Sequence, residues 1–390
     1  MAFEFIAGDL EARDHQHLLR KPVVVKESHD GMIEVDGKPY INFSSNDYLG
    51  LKQDPTVLQA WLEGLAIYGG GSGASPLVTG HTVAHQRLCE DLAQHVNRDA
   101  VMLFSSGFAA NQAICQALFK QPGQLVADKL SHASLIEGGL STPAQFKRFA
   151  HNDLAHLQSL LTPAKAEDTA NGNRLIATEG VFSMDGDTAP VKEIAKLAAS
   201  NNAWLMVDDA HGFGVFGDQG QGVAASQTDQ AQCQVLMATL GKACGTGGAF
   251  VAGSRDLIDY LTNFAKHYIY STAMPPAQAH ASSAAVEMIK IGESREKLHE
   301  NIQYFREAMT DKGFKLLVSD SAIQPIILGD PKVTLDYSQQ LKLLGMWVSA
   351  IRSPTVPKGT DRLRITLSSL HQREDIDALL DALQIARERV

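Results

Sequence analysis

Ala203-Trp-Leu-Met-Val-Asp208-Asp209-Ala-His211-Gly212 passes through five apolar residues and then presents two acids and a histidine within four positions. An uninterrupted apolar run of this length reads as a strand covered on both faces, which is how strands of a parallel sheet look. Polar side chains at its carboxyl end fall where open α/β sheets bind their ligands. Neighbouring residues on a strand point to opposite faces, so only one of the two aspartates can reach a ligand there. Asp208 is the candidate, and Asp209 is expected to be a structural hydrogen-bond acceptor.

One strand-and-crossover unit downstream, Val235-Leu-Met-Ala-Thr-Leu-Gly-Lys242-Ala-Cys-Gly-Thr-Gly-Gly248 ends a second apolar run with a single lysine among small residues. An ammonium at the mouth of a sheet, with nothing bulky beside it, can be desolvated, lose its proton and form a Schiff base with an aldehyde cofactor. Taken alone, Gly241-Lys242 reads equally well as a surface lysine in a glycine turn. The acid and the lysine together match what pyridoxal 5'-phosphate requires. A carboxylate keeps the pyridine nitrogen protonated so the ring can accept electrons, and a donor such as His211 holds the phenolic oxygen.

Such a cofactor also needs a phosphate anchor. Val101-Met-Leu-Phe-Ser105-Ser106-Gly107-Phe108-Ala-Ala-Asn111 reads as strand, small polar turn and helix, the helix spanning 109–119. Its free N–H groups and dipole suit a dianion, although a serine-capped turn is common without any ligand. Thr239 can add a hydroxyl. Ala127-Asp-Lys-Leu-Ser131-His132-Ala-Ser134 offers an imidazole that can lie flat on a ring and move protons near neutral pH. Leu175-Ile-Ala-Thr-Glu179-Gly-Val-Phe-Ser183-Met-Asp185-Gly-Asp187 offers Ser183, a turn former or a cofactor ligand.

Other chemistries fit poorly. Gly212-Phe-Gly214-Val-Phe-Gly217 matches the dinucleotide pattern G-x-G-x-x-G, but that pattern must open a helix, and Asp218-Gln-Gly220-Gln-Gly222 follows instead. No Walker sequence occurs. His81 and His85 stand four apart with no third ligand in view, and no metal is expected. Cys89, Cys115, Cys233 and Cys244 are dispersed, without zinc or disulfide spacing. A formal charge of −10 argues against a nucleic-acid surface and provides no overall attraction for an anionic thioester; Lys21, Lys26 and Lys266-His267 are candidates for a local patch, although scattered lysines usually just form a solvated face. The start Met-Ala-Phe-Glu-Phe lacks a basic and apolar leader, and no apolar run approaches ~18 residues, so a cytoplasmic protein off the membrane is expected.

A length of 390 residues suits about two domains. The chain alternates strands near 101–104, 124–127, 174–178, 203–207, 234–238 and 249–252 with helical patterns such as 191–200, a βαβ rhythm that predicts an α/β fold with a mainly parallel central sheet. Residues 166–173 read as an exposed loop. After Met274-Pro275-Pro276 a helix over 277–290 leads to a smaller α+β part. The expected division is an N-terminal arm over 1–50 associated with the small domain, a large cofactor domain over 51–285 and a small C-terminal domain over 286–390.

The ordered series Asn42-Phe-Ser-Ser-Asn46-Asp47-Tyr48-Leu-Gly50, Gly71-Ser-Gly73-Ala-Ser75, Ser106-Gly-Phe-Ala-Ala-Asn111, Leu130-Ser-His-Ala-Ser134, His151-Asn152-Asp153, Glu179 to Asp187, Asp208-Asp-Ala-His211 and Thr239-Leu-Gly-Lys242 resembles the α-oxoamine synthase family of fold-type I pyridoxal-phosphate enzymes. Gly71 to Ser75, Ser321-Ala-Ile-Gln324-Pro325 and Ala350-Ile-Arg352-Ser-Pro354-Thr355-Val-Pro357 look like its pimeloyl-thioester branch rather than its glycine-using members. The sequence departs at Ser353, where a second proline is usual, and at Leu240, where phenylalanine is common.

The resemblance implies an aspartate aminotransferase-like fold and specific roles. Lys242 carries the cofactor, Asp208 pairs with its ring nitrogen, His211 contacts its phenolic oxygen and His132 stacks on it. Gly107, Phe108, Ser183 and Thr239 match further cofactor contacts. Arg364 matches the arginine that clasps the amino-acid carboxylate, a task suited to a planar guanidinium. Arg20, Asn46 and Thr355 match the acyl side. Arg362 shares the face of Arg364 by alternation, which makes a plain surface ion pair a less secure reading. Implied partners are L-alanine, pimeloyl-CoA or a pimeloyl carrier protein, and a second copy in a homodimer, with the 69–73 loop a candidate to reach the partner's site. The alternatives are a glycine-using acyltransferase of the same family and a cofactor-binding regulatory protein without turnover.

Overall fold

The computed structural model describes residues 2–16, 18–27, 29–162, 172–310 and 312–390. Near the N-terminus lie the strands Lys26–Glu27 (β1), Met32–Val35 (β2) and Lys38–Asn42 (β3). Seven strands then form the central sheet: Ala100–Phe104 (β4), Gly123–Asp128 (β5), Gln145–Phe149 (β6), Asn173–Glu179 (β7), Trp204–Asp208 (β8), Val235–Thr239 (β9) and Ala249–Gly253 (β10). Their spatial order is β4-β10-β9-β8-β7-β5-β6. The pairings are parallel except the two made by β10, which runs against both neighbours.

Strand alternation explains why these segments read as unbroken apolar runs. Leu205 and Val207 of β8 join one buried cluster while Met206 joins the other, and β9 divides the same way, with Leu236 and Ala238 opposite Val235 and Met237. Both faces are therefore covered, as a parallel sheet requires. Every predicted strand is present. The helix expected over 109–119 is Gly107–Leu118, that over 191–200 is Val191–Ser200, and that over 277–290 is Pro276–Ile291.

Three points differ from the sequence reading. β6 was not anticipated: Gln145-Phe-Lys-Arg-Phe149 is an edge strand with only Phe149 fully buried, so its charges mask the pattern. The βαβ rhythm fails between β9 and β10, which are joined through residues 240–248 without a helix, so Lys242 sits on a hairpin connection. A six-residue helix, Gly222–Gln227, does open at the end of the glycine-rich stretch. The polar stretch 166–173 lies, up to residue 171, outside the described residues.

Toward the C-terminus, Ile323–Ile327 (β11), Ser349–Ile351 (β13) and Arg362–Thr366 (β14) form a sheet ordered β11-β14-β13, and Met346–Trp347 (β12) pairs in parallel with β3. The first strands of the chain are thus hydrogen-bonded to its late segment, and β14 brings Arg364 to the central sheet.

The Lys242 connection is seated tightly. Gly245 has φ +69°, and a Cβ there would stand 2.3 Å from the backbone nitrogen of Lys52. Both the left-handed backbone and the contact oppose any side chain. Gly245→Ala is expected to destabilise the protein by about 2–3 kcal/mol, measured by urea denaturation. An unchanged midpoint would show that the seat yields.

Candidate active site

Asp208, the last residue of β8, and Asp209 point to opposite faces. On the face of the helix Gly107–Leu118, Asp208 Oδ2 accepts from Asn111 Nδ2 at 2.8 Å and Oδ1 accepts from the Ala210 N–H at 3.1 Å. On the other face, Asp209 is fully buried, and its Oδ2 accepts from the Ala224 N–H at 2.8 Å, at the start of the short helix. Burial pushes the Asp209 carboxyl up to about 7, against the pull of the backbone N–H donors and with the Asp208 charge adding to the rise.

Asn111 ties Asp208 to His132. Its Nδ2 also donates to Ser134 Oγ at 2.9 Å, and Ser134 Oγ lies 2.7 Å from His132 Nδ1. The Ser134 N–H points at the same Nδ1, at 3.3 Å. With Ser134 Oγ already accepting from Asn111, its hydroxyl donates to Nδ1. The network therefore makes Nδ1 an acceptor and places the ring N–H of His132 on Nε2. His132 caps the helix Ala133–Leu140, with the Phe108 ring 6.4 Å away.

Lys242 is partly buried, and its Nζ donates to Thr239 Oγ1 at 3.5 Å. Burial lowers its pKa; the charges of Asp208 and Glu179 oppose the shift, and Arg364 adds to it. Glu179 ends β7 beside Asp208 and accepts from the His132 N–H. Burial, with the Asp208 charge adding to it, holds the Glu179 carboxyl well above the usual range. The Thr239 methyl group packs on Gly107, where a Cβ would stand 2.9 Å away, so the helix start and the end of β9 meet with only glycine between them. The first-turn N–H groups of Gly107 and Phe108 have no intrahelical acceptor.

His211 is buried, with Nδ1 2.6 Å from the Tyr48 hydroxyl. Burial drives its pKa well below the ordinary value, and the charges of Lys242 and Arg364 reinforce the shift, so the ring is neutral. Arg364, also buried, donates Nε to the Ser183 carbonyl at 2.7 Å, Nη1 to Thr366 Oγ1 at 3.0 Å, and Nη1 and Nη2 to Asn46 Oδ1 at 3.4 and 3.3 Å. Arg20 reaches Thr355 Oγ1 at 3.5 Å, both residues being exposed. Arg362 lies on the same face of β14 as Arg364 and is 3% exposed; it is an internal ion pair with Asp185, not a surface one.

The structure thus gathers Lys242, Asp208, His211, Thr239, Gly107, His132, Ser183, Arg364 and Asn46 around the carboxyl ends of β7 to β9 and the facing edge of β14, and it joins Arg20 to Thr355. The sequence reading gave no role to Asn111, Ser134, Tyr48 or Glu179. All four lie inside motifs it quoted, but nothing in one dimension shows that residues 23 and 97 positions from Asn111 share its amide.

In the His81 and His85 pair, the second ring is turned to protein groups. His85 Nδ1 caps Thr82 and Nε2 meets the Met274 carbonyl at 2.9 Å, so both ring nitrogens are engaged. The glycines of the false dinucleotide pattern have separate packing reasons. A Cβ on Gly212 would stand 2.0 Å from Asp209 Oδ1, one on Gly214 2.6 Å from Ala243 Cβ, and one on Gly217 2.6 Å from Gln221 Oε1.

The donor set fits pyridoxal 5'-phosphate. An amine whose pKa burial lowers, an acid within the same cluster, a neutral histidine and a glycine-lined helix start supply the four attachments such a group needs.

The model of the family described as aminotransferase class I and II matches residues 38–383. A curated relative from Aeromonas salmonicida, named 8-amino-7-oxononanoate synthase, is 49% identical over 382 residues, covering 97% of this chain and 94% of the relative. A serine palmitoyltransferase from S. paucimobilis, solved with bound PLP and myriocin, superposes with a TM-score of 0.91 at 27% identity, covering 99% and 98% of the two chains. An 8-amino-7-oxononanoate synthase from Francisella tularensis superposes with a TM-score of 0.76 at 31% identity over 90% of this chain and 99% of its own.

Proposed function

Because the chain belongs to the aminotransferase class I and II family, we propose that its site condenses L-alanine with pimeloyl-CoA, or with a pimeloyl carrier protein, releasing CoA or the free carrier, carbon dioxide and 8-amino-7-oxononanoate for biotin synthesis. The observation that carries this reading is the convergence of Lys242, Asp208 and Arg364 at one sheet end in a chain that matches a named synthase along nearly its whole length.

Lys242, Asp208, His211, His132, Thr239, Ser183 and the Gly107 and Phe108 N–H groups would hold pyridoxal 5'-phosphate. When bound, that group supplies an aldehyde for amines to condense with and a protonated ring that draws off the electron pair left at an α-carbon. The chain's own groups do the rest. Arg364 grips the alanine carboxylate, with Ser183 and Asn46 fixing the plane of the guanidinium. Lys242, whose pKa burial lowers, takes the α-proton as the free amine. The alanine Cα then bonds to the thioester carbonyl carbon, the C–S bond breaks, and the thiolate leaves. His132 donates from Nε2 to the carbonyl oxygen as charge builds there. The bond from Cα to the carboxylate breaks with loss of carbon dioxide, and Lys242 returns a proton to Cα. Arg20 and Thr355 line the acyl chain's path.

The assembly is a homodimer in this reading. The exposed Leu62, Ile67, Val78 and Val83, on either side of the 69–73 loop, support it as apolar surface for a partner to cover. Four free cysteines support a reducing, cytoplasmic setting. Among the described residues no helix is long and apolar enough to cross a membrane.

The test follows the cofactor absorbance of the holoenzyme as L-alanine and then pimeloyl-CoA are added, with glycine and acetyl-CoA as the competing pair. An alanine response with CoA release from pimeloyl-CoA is expected. Preference for glycine and the short thioester would move the chain to the glycine-using branch, and no response to either amino acid would make it a binding protein.

A further inference from the structure

The motif His151-Asn152-Asp153 has no part in the chemistry above, yet His151, two residues past β6, stands between the end of β5 and the loop that follows β7. Asp128 ends β5 and is fully buried. Its Oδ1 accepts from the Leu130 N–H at 2.8 Å and lies 3.0 Å from His151 Nδ1, while Oδ2 accepts from the Asn152 N–H at 2.9 Å. On the other side of the ring, Nε2 lies 2.8 Å from Asp187 Oδ2, which also accepts from Asn152 Nδ2 at 3.0 Å. The imidazole and the buried Phe182 ring meet edge to face, with centroids 4.4 Å apart. With a carboxylate at each nitrogen, both nitrogens donate and the ring is a cation. Burial works against that charge, but the hydrogen bonds and charges of the two aspartates outweigh it and push the imidazole up to about 10.

Each carboxylate belongs to a segment that carries site residues. Asp128 fixes the turn from Leu130 to His132. Asp187 lies in the loop 181–188, which closes on itself through the Val181–Thr188 bridge and the Phe182 N–H to Asp187 carbonyl bond of 2.9 Å. The tip of that loop presents the Ser183 carbonyl to Arg364 Nε, and Asp185 to Arg362. A loop closed in this way moves as a unit, so a shift at Asp187 is felt at Ser183.

The geometry points to His151 as a positioning residue for the amino-acid substrate: bridging Asp128 and Asp187, it sets the loop that aims Arg364. The inference rests on the reading of Arg364 as the carboxylate receptor. Without the ring, two carboxylates face each other uncompensated, and the loop that aims the guanidinium is released at one end. Misplacement of a substrate-orienting group by about 1 Å costs up to 10²-fold.

The test uses the holoenzyme of His151→Gln, His151→Arg, Asp187→Asn and Asn152→Ala, with Arg364→Lys as reference. It reads the Kd for L-alanine from the cofactor absorbance, the KM for pimeloyl-CoA, and Tm. His151→Gln and Asp187→Asn are expected to weaken alanine binding about tenfold, with the pimeloyl-CoA KM within twofold of wild type. The His151→Gln/Asp187→Asn double variant should be no worse than the poorer single variant, because both break one link. His151→Arg, a cation able to span two carboxylates, should recover most of the affinity. Should His151→Gln not fold, Asp187→Asn and the milder Asn152→Ala must show the same selective loss. An alanine Kd within twofold of wild type, or equal losses for both substrates that track Tm, would overturn the inference. If Arg364→Lys also leaves alanine binding intact, the reading of the carboxylate receptor falls with it; if Arg364→Lys weakens binding while the His151 and Asp187 variants do not, only the bridge falls.

Discussion

Replacing Lys242 by alanine is expected to slow CoA release from pimeloyl-CoA by at least about 10³-fold, since a positioned proton-transfer group alone contributes about 10²–10⁴-fold and, in the function proposed above, Lys242 also attaches the cofactor. The side chain is held between opposing influences: burial and Arg364 favour the free amine, and Asp208 and Glu179 favour the ammonium. Burial wins, so the wild-type rate should fall with decreasing pH through a lysine pKa lower than that of a lysine in water. The sign follows from the role, because protonation removes the base. Whatever activity remains in Lys242→Ala should lack that acid limb. Rapid-quench measurement of CoA release across pH 6–10 reads both effects. A variant with wild-type turnover would take Lys242 out of the reaction.

Asp208→Asn is the second large effect, expected to be about 10³-fold in kcat with the fold intact. Asparagine keeps the shape of the side chain. It removes the charge that balances a protonated ring, and breaking a buried ion pair from one side costs about 3–5 kcal/mol, or 10²–10⁴-fold in rate if it is felt in the transition state. It also brings a second conflict. Asn111 Nδ2 donates to Asp208 Oδ2 and the Ala210 N–H to Oδ1, so a carboxylate can satisfy both and still accept from a ring nitrogen. An amide has one oxygen, and its NH2 would face one of those donors. Stopped-flow kinetics with a matched Tm measurement separates lost chemistry from lost folding. A change of less than tenfold would mean that another acid holds the ring.

How much of this was legible from the chain depends on where each residue's partners lie. The strands β4, β5 and β7 to β10 are covered on both faces, and that burial writes itself into sequence as apolar runs. β6 is an edge, and the water on its open side admits Lys147 and Arg148, so the same rule cannot find it. The direction of β10 was missed because direction depends on the connection, and a glycine-rich connection looks alike whether it ends in a crossover or a hairpin. At the site, Asp208 at a strand end and Lys242 just past one stood out because polar groups after apolar runs are conspicuous. Asn111, Ser134, Tyr48 and Glu179 did not, because their contribution is a hydrogen bond made across the fold. Arg362 was read as sharing the face of Arg364, and it does; that it is an internal partner of Asp185 follows only from β14 facing the turn after β7.

The run Gly212-Phe-Gly214-Val-Phe-Gly217 has a lesson outside catalysis. Its spacing imitates a nucleotide fingerprint, yet each glycine is a cast of a different neighbour: the Asp209 carboxylate, the Ala243 methyl group beside Lys242, and the Gln221 amide. The resulting pattern is a coincidence of three moulds rather than one template. At positions 212 and 214 the usable amino-acid alphabet shrinks to a single letter as long as Asp209 and Ala243 keep their places. A lineage carrying this fold could therefore exchange one acyl substrate for another and still preserve the false signature, and a search tuned to glycine spacing alone would keep filing its members among proteins that bind a different cofactor.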